Sequence, residues 1–207
     1  MDYRNALESF LSKLHVTGLD DHVDFITEIH EGQTIPSIIG TTEVPASSYP
    51  LQLALRLAQW EIKDRDSYIV ALLTPAVCGG LIDAEADAHL FSTLSPRAVV
   101  ALNLIADPDD PAEARKRMEQ AIELRNDAYF FGKAADYVVS RESFAFRSGN
   151  CPAWEKESYR STLLLYSLDR YVTYKVDEQS YLRIKYDLHS AAHVDSLLYQ
   201  DECRLTE

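Results

Sequence analysis

His189 and His193 stand four apart in a stretch of helical periodicity. That spacing sets two imidazoles on one helical face, where they could offer two nitrogens to a metal ion. His22, His30 and His89 are the histidines available to complete such a site, but no spacing brings them near it. An exposed pair on a surface helix is the plainer reading. Asp83, Glu85, Asp87 and His89 also carry ligand chemistry. Alternate positions on a helix point to different faces, so these four read as a solvated surface. Cys78-Gly79-Gly80 reads as a turn with a free thiol, and no Lys-Ser/Thr follows the glycines to make a phosphate loop. No Ser/His/Asp or Cys/His nucleophile set can be located along the chain.

The elements that must position any site are helices. Leu7, Phe10, Leu11 and Leu14 make one apolar stripe, and Val23, Phe25 and Ile26 make another between Leu19 and His30, with Asp20 or Asp21 near its cap. Gly32 to Ser48 is rich in Gly, Pro, Thr and Ser and reads as one long loop. Pro50 opens a helix to Trp60, and Asp64 opens another that Pro75 is expected to halt near Leu73. Asp83 to Phe91 reads as a short amphipathic helix. Ser95-Pro96 and Asp110-Pro111-x-Glu113 are start signals for helices to Ala106 and Leu124. Asp127 to Ser143 follows, and Arg147-Ser148-Gly149-Asn150 breaks it. Two long helices then close the chain within 152–198, from Pro152 to Val176 and from Ser180 to Leu198. No alternating strand and no internal boundary stands out. The expectation is an all-α single domain over 1–207, a bundle of about nine to ten helices.

Bulk composition narrows the function. A formal charge of −13, from 20 basic and 33 acidic residues, repels nucleic-acid backbones and anionic membranes and favours a basic partner. Three widely spaced cysteines without a CxxC pair suit a reducing compartment. The first residues lack the apolar core of a signal peptide, and no apolar run approaches membrane-spanning length. A cytoplasmic protein without membrane or nucleic-acid contact is expected. The tyrosines of the last two helices (Tyr159, Tyr166, Tyr171, Tyr174, Tyr181 and Tyr186) read as aromatic packing, with a partner-binding face as the functional alternative.

Five short segments share an order and spacing with one family. They are His30-Glu31-Gly32-Gln33, Pro45-x-x-x-Tyr49-Pro50-Leu51, Ala71-Leu72-Leu73-Thr74-Pro75, Arg115-Lys116-Arg117-Met118-Glu119 and Lys133-Ala134-Ala135-Asp136. Together they resemble the HD-domain hydrolases of ppGpp and pppGpp, of both the RelA/SpoT type and the small stand-alone type. The resemblance runs from about Val23 to Val172, and takes in Ala153-Trp154 and the Tyr159–Tyr171 segment. It implies an HD-like helical bundle and a Mn²⁺ ion held by His, a His-Asp pair and a distant Asp, with a Glu-Asp pair assisting the attacking water.

At the metal-ligand positions of that pattern this chain has Tyr49, Thr74-Pro75 and Asp136, and at the base positions Gly79 and Gly80. Ser140 replaces an Asn, and Thr34-Ile35-Pro36 replaces a phosphate-binding basic pair. One carboxylate with a phenol and a threonine hydroxyl is a poor ligand set for a divalent ion. The resemblance therefore implies a non-catalytic relative that has lost its metal and acts by binding. Its partner would be a protein, such as a basic toxin or alarmone synthetase that it restrains. Lys133, Arg115, Arg117 and Arg141 remain as candidate contacts for a guanine nucleotide, beside Ser140, with ordinary surface charge as the plainer reading. The alternatives are a nucleotide sensor using the old cleft and a metal-free enzyme built on Tyr49, Thr74 and Asp136.

Overall fold

The computed structural model describes residues 2–36, 43–83, 87–105, 111–144 and 176–205, with side chains described for all of these except 36, 111, 114, 141–144 and 193–205. Among the described residues there are nine helices. They are α1 (Tyr3–Leu14), α2 (Asp20–Ile29), α3 (Ser48–Gln59), α4 (Arg65–Cys78), α5 (Ala88–Thr93), α6 (Pro96–Ile105), α7 (Pro111–Glu123), α8 (Asp127–Phe144) and α9 (Glu178–Leu205). The fold is all-α, organised around one apolar cluster that draws on nearly every helix. The first of the two expected C-terminal helices, Pro152 to Val176, lies almost wholly outside the described residues, as do Ala153-Trp154 and Tyr159 to Tyr174.

The centre of the bundle is α4. Its residues from Ser67 to Thr74, and Ala76, are buried, so the helix is covered on every face. A helix apolar all round must be enclosed by others, and α2, α3, α6 and α8 pack against it. One close approach is at Gly132 of α8. A Cβ built there would lie 2.9 Å from Val70 Cγ1 and 3.3 Å from Ile105 Cδ1, so only glycine lets α8 sit this close.

Three expectations need correction. The helix expected to stop at Pro75 runs through it to Cys78. Proline removes one intrahelical hydrogen bond, but Leu72, Leu73 and Ala76 are all fully buried. Their burial outweighs the lost bond. The stretch from Gly32 to Ser48 is not all loop. It holds two three-residue strands, β1 (Thr34–Pro36) and β2 (Glu43–Pro45), paired antiparallel with Ile35 opposite Val44. Thr34 Oγ1 donates to Glu43 Oε2 at 2.7 Å across the pair. Strands this short show no alternation that a sequence window can register. Finally, α5 begins at Ala88 rather than Asp83 and extends to Thr93.

Four helix ends follow one device. After α4 the amide of Leu81 donates to Ala76 O at 2.8 Å and that of Gly80 to Val77 O at 3.2 Å, with Gly80 left-handed at φ +68°. This is a Schellman stop. The same paired bonds close α1 at His15, α3 at Glu61 and α7 at Arg125, each with positive φ and no glycine. A left-handed non-glycine residue costs about 1–2 kcal/mol. Burial of the apolar residue that follows, Val16 after α1 and Ile62 after α3, offsets that cost.

The Gly132→Ala substitution is expected to destabilise the fold by about 1–3 kcal/mol through overpacking against Val70 and Ile105. Urea unfolding should show a lower midpoint at an unchanged m-value. An unchanged midpoint would mean that α8 does not approach α4 as described.

Candidate functional site

Tyr49 sits in the first turn of α3, and Asp136 sits in the middle of α8. The Tyr49 phenol donates to Asp136 Oδ1 at 2.9 Å in a half-buried setting, joining residues 87 apart in the chain. The turn before α3 places the ring. Ala46, Ser47 and Ser48 are buried, and the Ala46 amide donates to Gln33 O at 2.9 Å. The β1–β2 pair is thereby tied to the start of α3. On the other side, Ala134, Ala135 and Val138 of α8 are buried and hold that helix against the core.

Thr74 and Pro75, the other two sequence-singled positions, belong to the central helix. Thr74 is buried, and its hydroxyl donates to Val70 O at 2.6 Å within the same helix. Pro75 is half-buried and has no donor to offer. Gly80 is the left-handed residue of the Schellman stop of α4, and a Cβ at Gly79 would lie 3.0 Å from Pro75 O, so each glycine has a local structural reason. Lys133 is half-buried one turn before Asp136 on α8. Ser140 lies one turn after it and donates to Tyr137 O at 2.9 Å.

The remaining basic candidates are engaged on α7. Arg115 pairs with Glu119 at 2.9 Å and Arg117 with Glu113 at 3.3 Å, each four residues away. The side chain of Arg141 lies outside the described residues. Of the histidines, His30 is buried with Nδ1 2.9 Å from Ile26 O, while His89 and His189 are exposed. The side chain of His193 is outside the described residues.

The donor set at Tyr49, Thr74, Pro75 and Asp136 does not suit a Mn²⁺ ion. One carboxylate is present, and one of its oxygens already accepts the Tyr49 proton. The Thr74 hydroxyl is spent on a backbone carbonyl. Hard cations need several oxygens or imidazoles converging at once, and among the described residues no group of three His, Cys, Asp or Glu converges.

Two features went unread in the sequence. The first is a cleft of about 310 Å³ where the N-termini of α4, α6, α8 and α9 converge, lined in part by Asp64, Arg97, Asp127 and Asp177 over a floor of Ile62 and Phe131. Asp64 caps α4 by accepting from Ser67 N, and Asp177 caps α9 by accepting from Ser180 N, both at 3.0 Å. These bonds from the Ser180 amide and hydroxyl hold the Asp177 carboxyl below its usual range. Arg97 bridges Asp64 and Asp66. Burial lowers its pKa, but bonding and attraction to Asp64 and then Asp66 carry it above the ordinary value. Carboxylates gather here because helix N-termini are positive, so the acidic lining has a structural cause.

The second is a clamp between α3 and α9. Asp187 Oδ2 accepts from Trp60 Nε1 at 2.8 Å and from Arg56 at 3.0 Å, and Arg183 meets Glu61 at 2.6 Å. Caps are legible as local motifs, as Ser95-Pro96 is, but pairs separated by more than a hundred residues leave no local signal.

No protein-family model matches this chain, and neither a curated protein nor a solved structure matches it.

Two outcomes follow from this geometry. Tyr49→Phe is expected to lower stability by about 1–3 kcal/mol, because it leaves a half-buried carboxylate short of a donor. Chemical denaturation reads it, and no loss would mean that the phenol–carboxylate bond is not formed in solution. His22 is buried, and its Nδ1 has no hydrogen-bond partner among the described residues. Burial lowers its pKa first and the Arg65 charge second, against a smaller opposing pull from Asp21. Its folded pKa therefore lies below the unfolded 6.5. The unfolded chain binds the proton more readily, so stability is full above pH 6.5 and falls as pH drops below it. In melting curves taken across pH 5–7.5, His22→Leu should flatten that acid-side decline; an unchanged slope would assign it to other groups.

Proposed function

We propose that this protein is a pseudo-hydrolase, a relative of the HD-domain alarmone hydrolases that has lost its metal chemistry and acts by binding another protein. The observation that carries the reading is the bond between Tyr49 and Asp136. The resemblance assigns both positions to one metal centre although they are far apart in the chain, and an accidental resemblance gives no reason for them to meet. The helical architecture supports the same reading, since the resemblance implies a helical bundle. Tyr49 then stands in place of the first histidine ligand, with its phenol directed at the one retained carboxylate. Thr74-Pro75 and Gly79-Gly80 replace the other ligands and the base with groups that serve helix α4 itself.

Binding a protein suits the chain better than binding a nucleotide. Arg115 and Arg117, two of the four cations that would meet phosphates, are engaged with Glu119 and Glu113. A charge of −13 opposes an anionic ligand and attracts a basic surface. The partner class this favours is a basic, phosphate-binding enzyme or toxin, with this chain as its antitoxin, immunity protein or regulator.

The deciding experiment pairs two assays on the purified protein: ppGpp hydrolysis with excess Mn²⁺, and melting with and without ppGpp. The expected result is no turnover and no shift in Tm. A nucleotide-dependent rise in Tm without turnover would replace the protein-binding role with that of a nucleotide sensor. Mn²⁺-dependent turnover that Asp136→Ala abolishes would overturn the pseudo-hydrolase reading altogether.

A further inference from the structure

The corner where α1 turns into α2 is fastened to the core by few bonds. Arg65, the first residue of α4, donates from Nε and Nη2 to Gly18 O at 3.1 and 2.7 Å. Gly18 is left-handed at φ +74°, and a Cβ there would lie 3.3 Å from Arg65 Nε, so the bare backbone lets the guanidinium lie against it. Beyond this clasp α2 starts without a side-chain cap, and it buries only His22, Val23 and Ile26. One of its inward side chains is thus a titratable one.

A neutral imidazole suits that place. His22 is 8% exposed, and its Nδ1 meets no partner among the described residues. In the protonated ring both nitrogens are donors, so the buried Nδ1 would carry a proton with no acceptor and share a positive charge. Burying such a group is costly. The charges nearby do not repair this. Arg65 repels the cation from α4, and Asp21 attracts it from the same helix. Asp20 and Asp21 share its turn, but both are exposed and water screens their pull. The positive end of α2 also opposes a cation in its first turn. Arg65 is itself exposed, which leaves the unmet Nδ1 proton as the main cause. Turning the ring out to water meets it, and lifts the first turn of α2 off α4.

We propose that His22 makes this corner an acid-sensitive latch: on protonation the Gly18–Arg65 clasp opens and the segment 16–23 leaves α4, while α4 and α8 stay folded. The opening is local because α1 keeps its own seat on α3, and α3, α6 and α8 still enclose α4. It is a property of the fold and does not rest on the pseudo-hydrolase reading.

Hydrogen–deuterium exchange of the whole chain at pH 7.5 and 5.5, corrected for the intrinsic effect of pH on exchange, tests it. Uptake of one proton on opening raises the opening constant by up to about tenfold per pH unit below 6.5. Protection across 16–23 should fall by up to about that factor between the two conditions, with α4 and α8 unchanged. His22→Leu, which fills the site without titrating, should keep its protection at both pH values. Arg65→Ala, which removes the clasp, should exchange quickly across 16–23 already at pH 7.5, with α8 still protected. No acid loss in the wild type, or an equal loss across α4 and α8, would overturn the latch. So would an acid loss at 16–23 that persists in His22→Leu, or a corner as well protected in Arg65→Ala as in the wild type.

Discussion

The complete burial of α4 is the constraint from which the rest of the molecule follows. A helix whose residues from Ser67 to Thr74 all avoid solvent cannot lie on a surface, so neighbours must cover each of its sides. Their number and closeness then determine much else. α8 comes near enough to require Gly132, and α6 near enough to bring Ile105 to the same point. Even its polar groups serve this enclosure. Thr74 returns its hydroxyl to the helix's own backbone, and Tyr68 donates to Ile62 O at 2.6 Å, its phenol pushed to a higher pKa by burial. A buried hydroxyl without such a partner would cost about 1–3 kcal/mol.

The same enclosure accounts for where charge collects. Packing α4, α6, α8 and α9 around a common end brings four positive helix termini together, two of them capped by carboxylates, Asp64 on α4 and Asp177 on α9. Arg97, tied to Asp64 and Asp66, links two of these termini. At the other face of α3 the burial of Trp60 creates a need for a partner at its indole nitrogen. Asp187 meets it from α9, with Arg56 balancing the carboxylate. The first cluster shows polar groups placed by helix termini, and the second shows them placed by the burial of Trp60.

Against that background the Tyr49–Asp136 bond has a different character. Neither residue caps a helix, and the bond links the entry of α3 to the middle of α8 across a large separation in sequence. It joins two of the positions that the resemblance to alarmone hydrolases singles out, and the proposed function rests on it. A phenol directed at a carboxylate holds that carboxylate by a hydrogen bond, where a metal would hold it by charge. The outcome is a direct hydrogen-bonded contact between two helices.

The amino-acid sequence by itself determined that the chain is helical, where most of its helices lie, and which of their faces turn inward. Apolar periodicity and cap motifs act over a few residues, and they do so at Leu7 and Leu11 and at Ser95-Pro96. Local signals failed where a remote contact overruled them. Pro75 does not end α4, because the residues on both sides of it are buried by other helices. His15, Glu61 and Arg125 end helices without glycine, two of these stops being secured by burial of the next residue. The short β1–β2 pair depends on cross-strand bonding that has no periodic trace. Only the tertiary structure could decide that Tyr49 meets Asp136, that Asp187 meets Trp60, and that Leu182 and Tyr186 face outward. Each depends on the direction in which one helix crosses another, and helix periodicity states which face is apolar without stating what it will meet.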